Sequence, residues 1–302
     1  MNPRKRWSAE ATVDTRGIWI VAAAALVGDT AKFGDRLRLC ARTGGSALAG
    51  FDFPIGFPCH YAKQANITDF KKWLTRLGRD QWKRFGEVCD GPEEILISRP
   101  FYPRVPRKGV KKDSLIRAHN AKHAEDLLRL CERGGDGMPT ACSIFWTLGA
   151  KQVGRAALAG WEEVIIPLLR DRPDGTYLWP FDGALNDLLK PGKVVLAETY
   201  PANNYSWFSQ DRLVKSEQTS RREFGRHLLR WAGEHGTRVT LSDALEEQIN
   251  VGFANDDAFD AIVGLFAMLK IIFGEHSVGE PIKPECRTVE GWMLGRHQPA
   301  VP

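Results

Sequence analysis

Four acids stand in settings where a carboxylate can do chemistry: Asp52, Glu198, Asp257 and Asp260. Asp52 closes the run Leu48-Ala49-Gly50-Phe51-Asp52 and precedes Pro54-Ile55-Gly56-Phe57-Pro58. That pattern predicts a short buried strand that delivers an acid to its C-terminal end, followed by a loop stiffened by prolines. An ionised carboxylate between Phe51 and Phe53 is expensive to bury without a partner, although on this stretch alone a turn cap is the slightly favoured reading. Asp257 and Asp260 lie three apart, and Asp256 and Asp260 four apart, so they share a helix face, where like charges repel unless a cation sits between them. Asn255 fits an N-cap and first-turn acids favour the helix dipole, which accounts for Asp256 and Asp257 but not for Asp260. Acids at two strand ends and one helix start form the donor set of a two-metal phosphodiester hydrolase. Hard oxygen ligands suit Mg²⁺ or Mn²⁺, and two ions about 3.5–4 Å apart stabilise both the attacking and the leaving oxygen. A structural ionic network or unrelated surface acids are the competing account.

The elements that must position these acids are legible in outline. Lys193-Val194-Val195-Leu196-Ala197-Glu198-Thr199-Tyr200-Pro201 is the strongest strand, opened by Pro191-Gly192, closed by Pro201 and apolar enough to be buried on both faces. Residues 6–12 and 17–22 predict a hairpin around Val13-Asp14-Thr15-Arg16, and Asp35 to Ala41 has helical spacing. Helices are expected from Arg221 to Ala232 and from Asp256 to about Phe273. Residues 60–190 differ in kind: Trp73, Leu74 and Leu77, then Trp82 and Phe85, then Leu127 to Leu130, are helix-spaced, as is the stretch from Phe145 to Leu169. The expectation is one mixed α/β domain over residues 1–302, with a core at about 5–60 and 190–275 and a helical insertion at about 60–190.

Composition narrows the class. The chain has 302 residues, 43% hydrophobic and 26% charged, with a net charge of +5, an ordinary globular profile with a mild basic bias. Its six cysteines are scattered without a CxxC pair, so neither a disulfide framework nor a zinc site is expected. The apolar runs at 18–27 and 261–273 are too short for a membrane span. No signal-peptide pattern follows Met1, so the expected compartment is the cytoplasm.

The basic charge is concentrated in one loop. Arg99, Arg104, Arg107, Lys108, Lys111 and Lys112, with Arg117 nearby, are interleaved with prolines, Phe101 and Tyr102. Such a loop can follow a phosphate backbone while its aromatics stack on bases; a solvated loop held by prolines is the plainer alternative. Lys151 and Gln152, set between Gly149 and Gly154, are placed to approach a phosphate or a metal site, though a helix kink explains them nearly as well. His60 follows the Asp52 turn and can assist proton transfer, although a lone histidine is more often incidental.

Three segments, Phe51-Asp52-Phe53-Pro54-Ile55-Gly56, Glu198-Thr199-Tyr200-Pro201 and Asp257-Ala258-Phe259-Asp260-Ala261, resemble the signature segments of a predicted nuclease family with a ribonuclease-H-like fold, known as domain of unknown function 429. The resemblance runs from about Lys5 to Trp292 and includes Gly149-Ala150-Lys151-Gln152-Val153-Gly154. The Asp-x-x-Asp-Ala element is also similar to the C-terminal acids of Holliday-junction resolvases of that fold. It implies a ribonuclease-H-like mixed sheet flanked by helices. It further implies a metal-dependent nuclease in which Asp52, Glu198, Asp257 and Asp260 hold Mg²⁺ or Mn²⁺, with DNA or RNA as partner. An ion-bound water would be the nucleophile. Ribonuclease-H-like proteins carry their first catalytic Asp on a strand ahead of the hairpin, whereas this chain opens on Asn2-Pro3-Arg4-Lys5-Arg6-Trp7. The expectation is therefore that the natural chain starts upstream. The rival is a catalytically inactive ribonuclease-H-like protein, lacking that Asp, that binds nucleic acid or serves as a scaffold. A phosphotransferase is disfavoured, because no Gly-rich phosphate loop is present.

Overall fold

The computed structural model describes residues 6–42, 44–101, 112–135, 138–147 and 152–298. Among them the strands are, in chain order, β1 (Trp7–Ser8), β2 (Ala11–Val13), β3 (Trp19–Val21), β4 (Ala25–Leu26), β5 (Ala47–Phe51), β6 (Thr176–Leu178), β7 (Val194–Glu198) and β8 (Val239–Leu241). The helices are α1 (Thr30–Arg42), α2 (Cys59–Gln64), α3 (Phe70–Leu74), α4 (Lys112–Ala118), α5 (Val153–Gly160), α6 (Ile166–Asp171), α7 (Leu185–Leu188), α8 (Pro201–Asn204), α9 (Gln218–Glu234), α10 (Asp243–Val251) and α11 (Asp256–Ile272). The class is mixed α/β, with helix well in excess of strand. The sheets are small: β1 with β4, β2-β3-β8, and β5-β7-β6.

The chain divides into two compact units, one from Gly34–Thr199 and Ser277–Pro302, the other from Asn2–Phe33 and Tyr200–His276. The stretches expected to make one core, 5–60 and 190–275, are thus shared between the two.

In the first unit β7 is central and buried at every position. It pairs in parallel with β5 and β6, in register Phe51↔Glu198 and Leu178↔Leu196. β6 comes from within the stretch expected to be a helical insertion; three residues are too few for a period to show. The same unit contains an aromatic core. Phe57 sits fully buried with its ring centroid 4.6–5.7 Å from those of Tyr61, Phe70, Trp73, Phe85 and Trp161. Edge-to-face pairs of this kind each add about 0.5–1.5 kcal/mol beyond burial. Trp73 lies on α3, as its spacing predicts, but Trp82 and Phe85 belong to a short 3-10 turn and its continuation.

In the second unit the predicted hairpin is β2–β3, with Ala11↔Val21 and Val13↔Trp19 opposed. Its turn is held by Asp14, whose carboxylate accepts the backbone N–H groups of Arg16 and Ile18 at 2.9 Å. β3 is flanked on its other side by β8 in parallel, so this sheet is completed from its own unit. Phe224, Leu228 and Trp231 of α9, Leu245 and Ile249 of α10, and Phe259, Ile262 and Phe266 of α11 form one buried cluster with Val21. The long helices α9 and α11 follow the expected spans, while β8 and α10 are additions.

Candidate functional site

Asp52 is the first residue past β5, and its turn is pinned on both sides. The ring of Phe53 lies where a Cβ on Gly160 would stand, and Trp161 donates its indole N–H to the carbonyl of Pro54 at 2.9 Å. Asp52 itself is exposed. Glu198 ends the neighbouring strand, with Thr199 N–H bonded to Phe51 O at 2.9 Å. Residues in register on paired strands face the same way, so Glu198 shares the face of Phe51 and Asp52 follows on the bend. Adjacent strand ends therefore lead into different surroundings, solvent for Asp52 and the interior for Glu198.

Glu198 is 2% exposed and its carboxylate is held from three sides. Arg129 donates through Nη1 to Oε2 at 2.7 Å and through Nη2 to Oε1 at 2.6 Å, and Ile55 N–H donates to Oε2 at 2.8 Å. Arg129 is itself fully enclosed. Its Nε and Nη2 also reach Glu132 Oε1 at 3.0 and 2.9 Å, and its Nη1 reaches the carbonyl of Glu290 at 3.1 Å. The Glu290 carboxylate accepts the N–H groups of Cys59 and Leu130, both at 2.9 Å. Two buried carboxylates, Glu132 and Glu198, thus meet one buried guanidinium, Glu290 adds its main-chain carbonyl, and all three carboxylates also receive at least one backbone N–H. Burial pushes the Glu132 carboxyl above its ordinary range, opposed by the charge of Arg129. Glu198 is therefore engaged as one member of an internal ionic network, and a metal would have to compete with Arg129 for it.

A close crossing of two chain segments sets this network. Gly56, at φ +140°, and Gly291, at φ +67°, face one another so tightly that a Cβ on Gly56 would stand 2.0 Å from Glu290 O, and one on Gly291 would stand 1.9 Å from Ile55 O. Only glycine fits there, and Phe57 N–H bonds Val289 O beside it at 2.8 Å.

Asp257 and Asp260 belong to the second unit. Asn255 caps α11 by accepting Ala258 N–H at 2.8 Å, as its position predicts. Asp257 is exposed, whereas Asp260 is 8% exposed among Ala258, Phe259, Ile262 and Val263. Its Oδ1 accepts the Tyr205 hydroxyl and its Oδ2 accepts Lys215 Nζ at 2.6 Å. Burial pushes the Asp260 carboxyl up; the bonds from Lys215 and Tyr205 pull it down, and Asp256 adds to the rise. Among the described residues no group of three or more His, Cys, Asp or Glu side chains is placed to hold a metal. The donor chemistry still suits Mg²⁺, which is commonly bound by one or two carboxylates and completes its shell with water and substrate oxygens.

The expected nucleic-acid contacts separate. Arg99 is 9% exposed and points inward, bonded to Glu94 at 2.6 Å and to Val88 O at 2.8 Å, so it is part of the packing and not a surface phosphate contact. Phe101 is likewise a core ring, fully buried against Phe85 and Phe145, which corrects its expected role as a stacking platform. Arg104, Arg107, Lys108, Lys111, Tyr102 and Lys151 lie outside the described residues, as does the side chain of Lys112, which opens α4. Gln152 is exposed at the N-cap of α5. His60 bonds His119 O through Nε2 at 2.9 Å. The described cysteines are free thiols.

Arg129 and Glu132 had a signal in the sequence, a charged pair three apart inside the apolar run Leu127-Leu128-Arg129-Leu130-Cys131-Glu132. Lys215 and Tyr205 had none, because their meeting with Asp260 depends on the path of the chain before α9. No family model matches this chain, and neither does any curated protein or solved structure.

Proposed function

We propose that this protein is a metal-dependent phosphodiester hydrolase of ribonuclease-H-like fold acting on nucleic acid, with Asp52, Glu198, Asp257 and Asp260 as its metal-binding carboxylates. The observation that supports it best is the parallel register of β5 and β7, which sets Asp52 and Glu198 at neighbouring carboxyl ends of strands, where open α/β sheets commonly bind ligands. The half-rigid turn after Asp52 and the buried, hydroxyl-oriented Asp260 add to it, since ligands that keep their orientation lose less on binding an ion. The bound ion would supply an activated water and charge stabilisation at the phosphorus. The chain's own part is to hold carboxylate oxygens in place: Tyr205 fixes Asp260, and Ile55 N–H fixes Glu198.

A second reading is favoured by one observation, the full engagement of Glu198 by Arg129. A strand-end acid neutralised by a buried guanidinium needs no metal, and a protein so built can bind nucleic acid without cutting it. Incubating single- and double-stranded DNA and RNA with the protein and Mn²⁺ separates the two. The nuclease reading expects metal-dependent cleavage that falls at least about 100-fold in D52N and in D260N. Binding without metal-dependent cleavage, or cleavage indifferent to both substitutions, overturns it in favour of the scaffold.

A further inference from the structure

One side of α9 is fastened into the second unit by Phe224, Leu228 and Trp231. Arg221, 5% exposed, is used up inside as well, donating to Lys215 O at 2.7 Å and to Gly252 O at 2.9 Å. Arg222, Arg226 and Arg230 remain outside, and all three are exposed. Spaced by four, they form a row along one face of the helix. Eight residues at 1.5 Å of rise make that row about 12 Å long. Thr219 and Gly233 continue it, three residues beyond either end, and Gly233 faces open space.

Arginines elsewhere on the chain carry a carboxylate: Arg16 has Asp14, Arg38 has Asp35 and Asp171, Arg84 has Glu87, and Arg287 has Glu280. Among the described residues, the three on α9 have no ion pair and no side-chain hydrogen bond. Glu223 and Glu234 stand three before Arg226 and four after Arg230, yet both are exposed and unpaired with them. Like charges four apart on a helix repel and cost stability, so folding of α9 does not account for the row. The partner it fits carries negative charge in a line. One strand of a nucleic-acid duplex presents a phosphate about every 3.4 Å of rise, so a 12 Å row lies against about three or four of them. The guanidinium fork matches two phosphate oxygens at once. A lipid surface fits less well, because a helix lying on a membrane inserts an apolar face, and the core has already taken that face of α9.

We infer that Arg222, Arg226 and Arg230 form a phosphate-backbone contact surface, by which this protein holds a nucleic acid without reading its sequence. This rests on the nucleic-acid reading above and requires no metal. It places on a rigid helix the exposed positive charge that Arg99, turned inward, does not supply.

Fluorescence anisotropy of labelled duplex DNA and duplex RNA, titrated with the full chain in EDTA over a series of salt concentrations, tests this. EDTA prevents metal-dependent cleavage, so binding is read alone. R222Q/R226Q/R230Q should lower the slope of log K against log salt on duplex DNA by about 2–3, at about 0.9 for each lost phosphate contact. Its melting temperature should stay within a few degrees of wild type, since all three side chains are exposed. K32Q/R212Q removes two exposed cations of the same unit and should change the slope by less than about 0.5. If the triple variant does not fold, R226E decides; it should weaken binding at least about threefold at 50 mM salt, and unchanged binding overturns the proposal. If the wild type binds nucleic acid but the triple variant keeps its slope, or K32Q/R212Q loses as much for each charge, the α9 surface is wrong and the nucleic-acid reading survives. If the wild type binds neither DNA nor RNA at about 50 mM salt, both fall together. Binding to phosphatidylserine vesicles in place of nucleic acid, abolished in the triple variant, would assign the row to a lipid surface and overturn both.

Discussion

A guanidinium with no exposed surface has to be matched by acids, and Arg129 is matched by Glu132 and Glu198 at once. Breaking such a network by removing one partner leaves uncompensated buried charge, which costs more than the network contributes over an apolar substitute. R129M should lower stability by about 3–5 kcal/mol. R129M/E198Q should recover part of that loss, because one stranded charge is then gone; urea unfolding of the two variants gives both numbers, and strict additivity would mean the residues are not coupled. His119 makes a different prediction. It is fully buried, stacked on Phe145 with centroids 4.7 Å apart, and burial pulls its ring down from 6.5 to about 4. The unfolded chain therefore binds a proton that the folded chain refuses between those values. The stability associated with neutral His119 is fully present above pH 6.5 and is lost as pH falls toward 4, on the order of 3 kcal/mol in all. H119F keeps a ring against Phe145, gives up the bond from Nε2 to Pro100 O, and should flatten the stability profile between pH 6.5 and 4. An unchanged slope would mean that another group titrates there. Of these residues, only the strand-end and helix acids were legible as candidates. A buried arginine declares itself in sequence weakly, as a charge inside an apolar run, and nothing near His119 distinguishes it from an exposed histidine.

At the scale of elements, the strongest strands and helices were legible because their signals were long or punctuated. β7 has four apolar or small positions before Glu198 and is closed by Pro201, α11 has an N-cap and an apolar stripe, and β5 is bounded by glycine and proline. What stayed hidden were elements whose existence depends on partners. β6 and β8, three residues each, are strands because β7 and β3 offer them an edge. The crossing of Gly56 and Gly291 is likewise a tertiary fact written in two distant glycines. It sets the ionic network, since Ile55 N–H and Glu290 O flank it and both touch the Arg129–Glu198 pair. A methyl group on Gly56 would meet backbone, which cannot rotate aside, in addition to an unfavourable φ. Gly44 also has a positive φ, +88°, but open space around it. G44A should therefore lose only about 1–2 kcal/mol for its left-handed conformation. G56A should lose at least about 2 kcal/mol more than that, since a backbone clash is added. Thermal melts of the two variants side by side measure the difference, and equal losses would show that the crossing relaxes easily.

For the molecule as a whole, the informative quantity is where positive charge is free to meet a polyanion. The net charge of +5 is small, so binding to nucleic acid, if it is the function, must come from local concentration of cations and not from the overall field. The stretch from Arg99 to Lys112 was read as that concentration, and the structure takes Arg99 and Phe101 out of it. Arg99 is consumed inside by Glu94 and Val88, and Phe101 is consumed by the aromatic core. The same chemistry, a guanidinium and an aromatic ring in a proline-rich stretch, was read from composition as surface because composition carries no direction. A salt titration distinguishes the two fates. Each phosphate contact that releases a counterion contributes about 0.9 to the slope of log K against log salt on duplex DNA and about 0.7 on single strands. Replacing Arg104, Arg107, Lys108 and Lys111 together by glutamine should therefore reduce the slope by about 3–4 on duplex DNA and leave the melting temperature within a few degrees. R99Q should do the reverse. It removes the bonds to Glu94 and to Val88 O and lowers stability, yet leaves the salt slope where it was, because a guanidinium that is 9% exposed releases no counterion. If R99Q lowers the slope as much as any one of the loop residues, Arg99 reaches phosphate after all. If the fourfold variant leaves the slope intact, those residues are a solvated loop and the polyanion meets the protein elsewhere.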